Sequence, residues 1–154
     1  MRDSDFEGAV NTHYTLNGSL MNDEVVQCLL GTSLPKRSAK LLGYKRKGVL
    51  GEAYPAMFEC KHSEVEGCIL LGLTPAQIQR LDLYEGYQYQ RISVQAELRN
   101  ELLGERVERG EWGDSMINCE TYVFKREYMH LLSGDDWCNE DFRTHRMAAF
   151  IRQA

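Results

Sequence analysis

The segment that follows Leu73 carries the signals of a short helix at both of its ends. Thr74 can cap the first turn, Pro75 suits the first helical position, and Gln77 completes a capping box. Gly86 fits the left-handed position at which many helices end. The apolar residues between these signals recur at the spacing of one buried helical face; they are Ile78, Leu81 and Tyr84. The sequence therefore predicts a helix over residues 74–84.

Glu85 stands at the carboxyl end of this predicted helix, where the helix dipole disfavours a negative charge by roughly 0.3–1 kcal/mol. Asp82, three residues earlier on the same face, adds like-charge repulsion. Both effects raise the pKa of Glu85, which suits a group that transfers protons near neutral pH. The alternative is a surface glutamate paired with Arg80 or Arg91. The helix argument alone favours this alternative, because a perturbed carboxylate is only a probabilistic marker of a site.

Short strands and a few helices are predicted along the rest of the chain. The predicted strands are 10–16, several short pieces within 40–60, 65–73, 92–98 and 119–125; the other predicted helices are 22–30 and 139–150. Residues 99–115 are charged and contain glycine, so we expect an exposed hairpin or loop there. This mixture predicts an α+β fold, a small mixed β-barrel with a few flanking helices. The length suits one domain over residues 1–154, with a frayed terminus at 1–8.

The net charge of −5 argues against a nucleic-acid-binding protein, whose surface is usually strongly basic. One basic run within residues 36–47 is an exception, because six lysines and arginines fall there without an acid. Such a run could attract an anionic ligand. We expect instead a solvated turn and the edge of a strand, since edge strands often carry lysines.

The five cysteines form no C-x-x-C pair, and no signal peptide is recognisable at the start of the chain. They are therefore expected to be reduced thiols in a cytoplasmic protein, with Cys28 in the core. Cys60, His62 and Cys68 lack a fourth ligand and fit no common zinc spacing, so no metal site is predicted. No apolar run approaches the about 20 residues that a membrane span needs.

Familiar catalytic motifs, such as G-x-S-x-G, the P-loop and H-E-x-x-H, are absent from the sequence. The most suggestive local pattern is a first strand, a break at residues 17–19, and a helix that Asn22 can cap and Gly31 can end. Backbone N–H groups at such a loop point towards whatever fills it. Ser19 lies in this loop, where it could also be an ordinary turn serine.

Three ordered motifs resemble the γ-glutamylcyclotransferase-like superfamily, and most closely its AIG2-like branch. They are Asn-Gly-Ser-Leu-Met (17–21), Tyr-Pro-Ala (54–56) and Leu-Asp-Leu-Tyr-Glu-Gly-Tyr-Gln-Tyr-Gln-Arg (81–91). The segments 66–74 and 137–143 are also similar to the strand before the helix and to the closing segment of that family. The resemblance covers roughly residues 14–143.

The resemblance implies a small β-barrel that encloses a cavity, with Glu85 as the acid/base residue. The glycine loop would contact the substrate through backbone N–H groups of Gly18, Ser19 and Leu20. Further candidates for substrate contact are Asn17, Tyr54 and Tyr122, although the sequence leaves open which of Tyr54, Tyr122 and Tyr89 lines the pocket. The implied partner is a small molecule, with no cofactor, no nucleic acid and no membrane; the oligomeric state is not predicted.

Asn17 stands where the family has a tyrosine, so an amide replaces one aromatic wall of the expected pocket. Three hypotheses follow. The first is an enzyme that releases 5-oxoproline from a γ-glutamyl amine or peptide. The second is a biosynthetic enzyme that uses Glu85 for isomerisation, elimination or ring formation on another metabolite. The third is a binding module without catalysis.

Overall fold

The computed structural model describes residues 14–16, 18–99 and 112–153. The strands are β1 Tyr14–Leu16, β2 Lys36–Val49, β3 Pro55–Leu70, β4 Tyr89–Arg99, β5 Trp112–Phe124 and β6 Leu132–Asp136. The α-helices are α1 Asp23–Leu30, α2 Pro75–Glu85, α3 Asn139–His145 and α4 Met147–Gln153. Two 3-10 helices cover Gly18–Met21 and Arg126–Leu131.

The six strands form one sheet in the order β3-β1-β5-β4-β2-β6, and β2 pairs with β3 in addition. This extra pairing gives the sheet a barrel-like shape, so the predicted α+β fold with a β-barrel and a few helices is confirmed. Strands β2 and β3 pair antiparallel, as do β4 and β5. Strand β1 runs antiparallel to β3 and parallel to β5, where Tyr14 is level with Glu120.

Two buried clusters form the core. The larger cluster joins the helices to the sheet, and its buried residues include Leu20, Val25, Leu73, Leu81, Tyr89, Tyr122, Phe124 and Phe142. The smaller cluster lies between strands, and its buried residues include Leu41, Met57, Val65, Ile69, Ala96 and Leu98. Helix α2 and strands β4 and β5 all contribute to the larger cluster, which therefore supports the segment around Glu85.

Helix α2 begins and ends where the sequence predicts. The Thr74 hydroxyl oxygen accepts the Gln77 N–H at 3.2 Å, and the Gln77 side chain accepts the Thr74 N–H at 2.9 Å, which completes the capping box. Gly86 has φ 85° and ψ −174° rather than the left-handed helical ψ that we expected. That extended region at positive φ is open essentially to glycine alone, so Gly86 turns the chain sharply out of the helix.

The expectation of short strand pieces within residues 40–60 is wrong. Strand β2 continues through Gly43, whose φ of 86° accommodates a bulge between Leu42 and Tyr44. The basic run of residues 36–47 lies within β2, which pairs with β3 and, over parts of its length, with β4 and β6. It is therefore not the edge strand that we predicted.

Three other expectations need correction. Strand β5 already begins at Trp112, so the predicted loop over 99–115 is too long at that end. The helix predicted over 139–150 is two helices, because Arg146 has φ −129° and ends α3. Cys28 is exposed rather than in the core, because α1 buries Val25 and Val26 on another face. The predicted frayed terminus at 1–8 and the positions 100–111 lie outside the described residues.

Asn22 occupies the N-cap position of α1, but its side chain makes no capping hydrogen bond. Its amide Nδ2 donates to Asn139 Oδ1 at 3.0 Å, and its Oδ1 accepts a hydrogen bond from Arg143 Nη1 at 2.8 Å. We call these contacts the Asn22 clasp. They tie the start of α1 to α3, and Asn22 is only 1% exposed.

Within the described parts of the chain, no helix is long and apolar enough to cross a membrane.

Candidate active site

Glu85 is the last residue of α2, and Gly86 then leads the chain towards β4. The residue as a whole is only partly exposed, and protein atoms closely surround its carboxyl group. This burial, together with the smaller effect of the negative charge of Asp82, raises the pKa of Glu85 to about 8. The helix-end argument anticipated the direction of the shift, but it placed the cause in the dipole and in Asp82 rather than mainly in burial.

Two tyrosines lie within electrostatic reach of Glu85. Burial is the main cause of the raised pKa of Tyr54, with further contributions from Glu52 and Glu85. Burial also raises the pKa of Tyr89, and Glu85 is the next cause. The two rings meet edge to face with their centroids 6.3 Å apart, and the Tyr89 hydroxyl donates to the Pro55 carbonyl at 2.8 Å. The Tyr-Pro-Ala motif is therefore anchored beside Glu85.

Asp82 is held by side chains from two strands. The Tyr122 hydroxyl on β5 donates to Asp82 Oδ1 at 2.5 Å, and Arg91 Nε on β4 lies 3.4 Å from the same oxygen. Arg91 Nη1 also donates to Glu120 Oε1 at 3.1 Å. We call these four residues the Asp82 network. The sequence could not predict it, because it depends on the pairing of Arg91 with Tyr122 in the β4–β5 register.

The alternative role for Glu85, a surface glutamate paired with Arg80 or Arg91, does not match these contacts. Arg91 pairs with Asp82 and Glu120. Among the residues that the structure describes, no side chain makes a hydrogen bond or ion pair with the Glu85 carboxylate. A buried carboxylate of this kind is typical of functional sites, where burial tunes the pKa.

The predicted glycine loop follows β1 and forms the 3-10 helix Gly18–Met21. Because β1 runs parallel to β5, its carboxyl end points to the same end of the sheet as Phe124, which pairs with Tyr89. Leu20 is buried in the same cluster as Tyr89 and Tyr122. The backbone of Gly18 and Ser19 thus lies at the end of the sheet that carries Glu85.

Two other candidate positions, Asn17 and Tyr122, remain to be considered. Asn17 falls outside the described residues. Tyr122 is 4% exposed, and its hydroxyl is engaged by Asp82. Tyr122 therefore supports the Asp82 network, a role that we did not predict for it.

A cleft of about 910 Å³ opens between the β2–β3 turn and helices α3 and α4. Tyr54 and Glu52 line one side of it, and Trp137, Phe142 and Phe150 line the other. Glu85 is not a lining residue of this cleft. Tyr54 is thus the link between the cleft and the surroundings of Glu85, because it contacts both.

Among the described positions, no group of three or more histidine, cysteine, aspartate or glutamate side chains has the geometry to hold a metal ion.

Known proteins resemble this chain in sequence. The family model described as "Gamma-glutamyl cyclotransferase, AIG2-like" matches residues 16–139. AIG2-like protein D of Arabidopsis thaliana is 30% identical over 146 residues, which cover 94% of this chain and 88% of that protein. AIG2-like protein C of the same plant is 30% identical over 134 residues, which cover 87% of this chain and 70% of that protein.

Solved structures share the fold. A solution structure of an Arabidopsis thaliana protein superposes with a TM-score of 0.64 at 22% identity, over 92% of this chain and 87% of the other. A structure described as a gamma-glutamyl cyclotransferase superposes with a TM-score of 0.56 at 14% identity, over 92% of this chain and 85% of the other. At these identities the likeness concerns the fold alone.

Proposed function

The chain belongs to the AIG2-like γ-glutamyl cyclotransferase family, as its motifs predict, and from this premise we propose that it is an enzyme that cyclises a γ-glutamyl amine and releases 5-oxoproline. Glu85 is its acid/base residue. The observation that carries this proposal is the carboxylate of Glu85, which burial and Asp82 make more basic than an ordinary glutamate, at the end of the sheet that also carries the glycine loop.

In the proposed reaction, Glu85 takes one proton from the α-ammonium group of the substrate and so frees the lone pair of its nitrogen. That nitrogen attacks the γ-carbonyl carbon and closes the five-membered ring. The bond from this carbon to the departing nitrogen then breaks. Glu85 returns its proton to the departing nitrogen, and the second proton of the attacking nitrogen follows, so the amine leaves as an ammonium ion beside the neutral lactam.

The raised pKa of Glu85 fits this proton transfer. The pKa of Glu85 lies at about 8, which is much closer to the pKa of an amino group than the value of about 4.3 of an ordinary glutamate. A glutamate at its ordinary value would be a poor acceptor, because each unit of mismatch costs about 1.4 kcal/mol. Ring closure is intramolecular, so holding the reacting ends together supplies much of the rate, with about 7–11 kcal/mol available in ideal cases.

The glycine loop supplies the second part of the proposed mechanism. Backbone N–H groups of Gly18, Ser19 and Leu20 would hold the substrate carboxylate or the oxyanion that develops on the γ-carbonyl oxygen. Lys36 Nζ donates to the Met21 carbonyl at 2.9 Å and pairs with Asp23 at 3.1 Å, which fixes the end of this loop. Tyr54 and Tyr122 remain the proposed side-chain contributions, Tyr54 by direct contact and Tyr122 through Asp82.

The test is release of 5-oxoproline from a panel of γ-glutamyl amines and γ-glutamyl amino acids. A matched substrate with an acetylated α-amino group is the control, because it keeps the amide bond but has no nucleophile. We expect product from at least one unblocked substrate and none from its acetylated partner. A folded protein that releases no 5-oxoproline from the whole panel would contradict the proposal.

The pH dependence of this reaction follows from the same carboxylate. The base must be ionised, so the acid limb of the kcat/KM profile should have its inflection near 8, the pKa of Glu85 in the free enzyme. The substrate ammonium group favours the ionised form, so the inflection in kcat should lie at lower pH. Steady-state rates between pH 5 and 9.5 measure both, and a kcat/KM profile that is flat across this range would rule out Glu85 as the base.

A second candidate function keeps Glu85 but changes the substrate. Asn17 replaces the tyrosine of the family motif, and this substitution favours a pocket for a metabolite without a γ-glutamyl group. Such a metabolite would raise the melting temperature of the protein, whereas γ-glutamyl compounds would not.

A further inference from the structure

We infer that Asp82 is a positioning residue that acts through Glu85: Tyr122 and Arg91 hold its carboxylate in place, and its negative charge favours the protonated form of the neighbouring base. This inference rests on the proposed function of Glu85. It assigns to the Asp82 network the task of keeping the base strong enough to accept a proton from an ammonium group.

The geometry brings three elements together at Asp82. On helix α2, Asp82 lies three residues before Glu85, and residues so spaced are neighbours on one face, with Cβ atoms about 5–6 Å apart. Strand β5 contributes the hydroxyl of Tyr122, and strand β4 contributes the guanidinium of Arg91. Two strands thus fix the orientation of one helical carboxylate beside another.

The charges of the Asp82 network leave it negative. Arg91 carries one positive charge and is shared between Asp82 and Glu120. One cation against two carboxylates gives a net charge of −1, so Arg91 offsets the field of Asp82 at Glu85 without cancelling it. An ion pair this exposed contributes about 0–1 kcal/mol to stability, so a purely structural tie would be a weak reason for this arrangement.

Other titratable or charged groups face Glu85 or its immediate neighbours from the surrounding elements; they are Glu52, Tyr54, Tyr84, Tyr87, Tyr89 and Arg91. Tyr54 and Tyr89 are neutral at the pH at which Glu85 titrates, because burial raises the pKa of both above the ordinary value. Glu52 contributes to the raised pKa of Tyr54 and of Tyr89. Asp82 is the carboxylate that acts directly on Glu85.

The experiment measures the titration of Glu85 itself, by carbon-13 NMR of its side-chain carboxyl carbon in the full chain. Asp82→Asn removes the charge but keeps an oxygen that can accept the Tyr122 hydrogen bond. We expect this variant to lower the pKa of Glu85 by about 1 unit. The matched control is Glu59→Gln, which neutralises an exposed carboxylate on β3 and should leave the titration of Glu85 unchanged.

A second variant is expected to shift the pKa of Glu85 in the opposite direction. Arg91→Gln removes the cation that offsets Asp82, so the pKa of Glu85 should rise. It keeps the inference testable if Asp82→Asn fails to fold. An unchanged Glu85 titration in a folded Asp82→Asn variant, or a fall in Arg91→Gln, would overturn the inference and leave Asp82 a structural partner of Tyr122.

Kinetics add a readout that separates this inference from the proposed function. With an active substrate, the acid limb of the kcat/KM profile should move to lower pH in Asp82→Asn, in step with the NMR titration. The NMR titration needs no turnover, so it decides the role of Asp82 even if no γ-glutamyl compound proves to be a substrate. Movement of the NMR titration without movement of the kinetic limb would overturn the link between Asp82 and catalysis.

Discussion

Glu85→Gln is expected to lower kcat/KM for 5-oxoproline release by about a hundredfold to ten-thousandfold and, at alkaline pH, to stabilise the folded protein. The amide matches the size of the carboxyl group but cannot accept a proton, so the loss falls on the proton transfer. A single substitution should therefore change activity and stability in opposite directions.

The stability change depends on pH because burial holds the pKa of Glu85 near 8 in the folded state, against 4.5 in the reference state. Below about pH 4.5 the residue is protonated in both states and does not lower the free energy of unfolding. Between these values the unfolded chain ionises first, so the stability of the wild type falls as pH rises. Above about pH 8 both states are ionised and the cost is constant. The shift sets a ceiling of about 5 kcal/mol, and partial exposure of Glu85 reduces the expected gain to about 2–3 kcal/mol.

Urea denaturation of the wild type and of Glu85→Gln at pH 5 and pH 9 measures this gain. The two midpoints should nearly coincide at pH 5 and separate by about 1 M urea or more at pH 9, for slopes of about 1–3 kcal/mol per molar urea. Glu59→Gln, which neutralises an exposed carboxylate on β3, serves as the control. Its denaturation midpoint should equal that of the wild type at both pH values. A variant less stable than the wild type at pH 9 would contradict the buried, perturbed carboxylate.

Phe142→Ala is expected to destabilise the fold by about 3–5 kcal/mol, the usual cost of removing a fully buried aromatic side chain. Phe142 is 1% exposed and packs against Trp137 and Phe150, with ring centroids 5.6 and 5.4 Å away. Phe150 in turn meets the ring of Tyr84, the neighbour of Glu85 in α2. The variant thus removes the centre of the contact between the two terminal helices and the sheet.

Phe150→Ala is the matched comparison for Phe142→Ala, because Phe150 belongs to the same aromatic group but is only partly buried. Its loss should cost clearly less than the loss of Phe142. Thermal or chemical denaturation of both variants at one pH gives the two values. Equal costs, or a cost below about 1 kcal/mol for Phe142→Ala, would mean that α3 does not pack on the core as described.

The sequence predicted the helix that carries Glu85 because its signals are local. Thr74, Gln77 and Gly86 specify a start and an end within a dozen residues, and no distant contact is needed to interpret them. The position of Glu85 at the end of the helix follows from these two predicted boundaries. The family motifs then predicted the barrel and indicated Tyr54 and the glycine loop as candidate parts of the site.

What the sequence could not predict depends on which distant residues meet. The Tyr122–Asp82 hydrogen bond requires β5 to lie beside α2, and the partners of Arg91 follow from the β4–β5 register. Burial, which is the main cause of the raised pKa of Glu85, is likewise a property of the assembled core. The length of β2 could not be predicted, because a glycine such as Gly43 usually indicates the end of a strand. In the structure Gly43 accommodates a bulge and the strand continues.

The Asn22 clasp joins distant parts of the chain and so depends on a late folding event. Asn22 and Asn139 are 117 positions apart, and their hydrogen bond forms only when the segments that carry them have come together. Contacts across such a separation form slowly, since the loop that they close loses much of its freedom. The capping box of α2, in contrast, joins two residues that are three positions apart. We therefore expect the helix that carries Glu85 to form before the start of α1 is tied to α3.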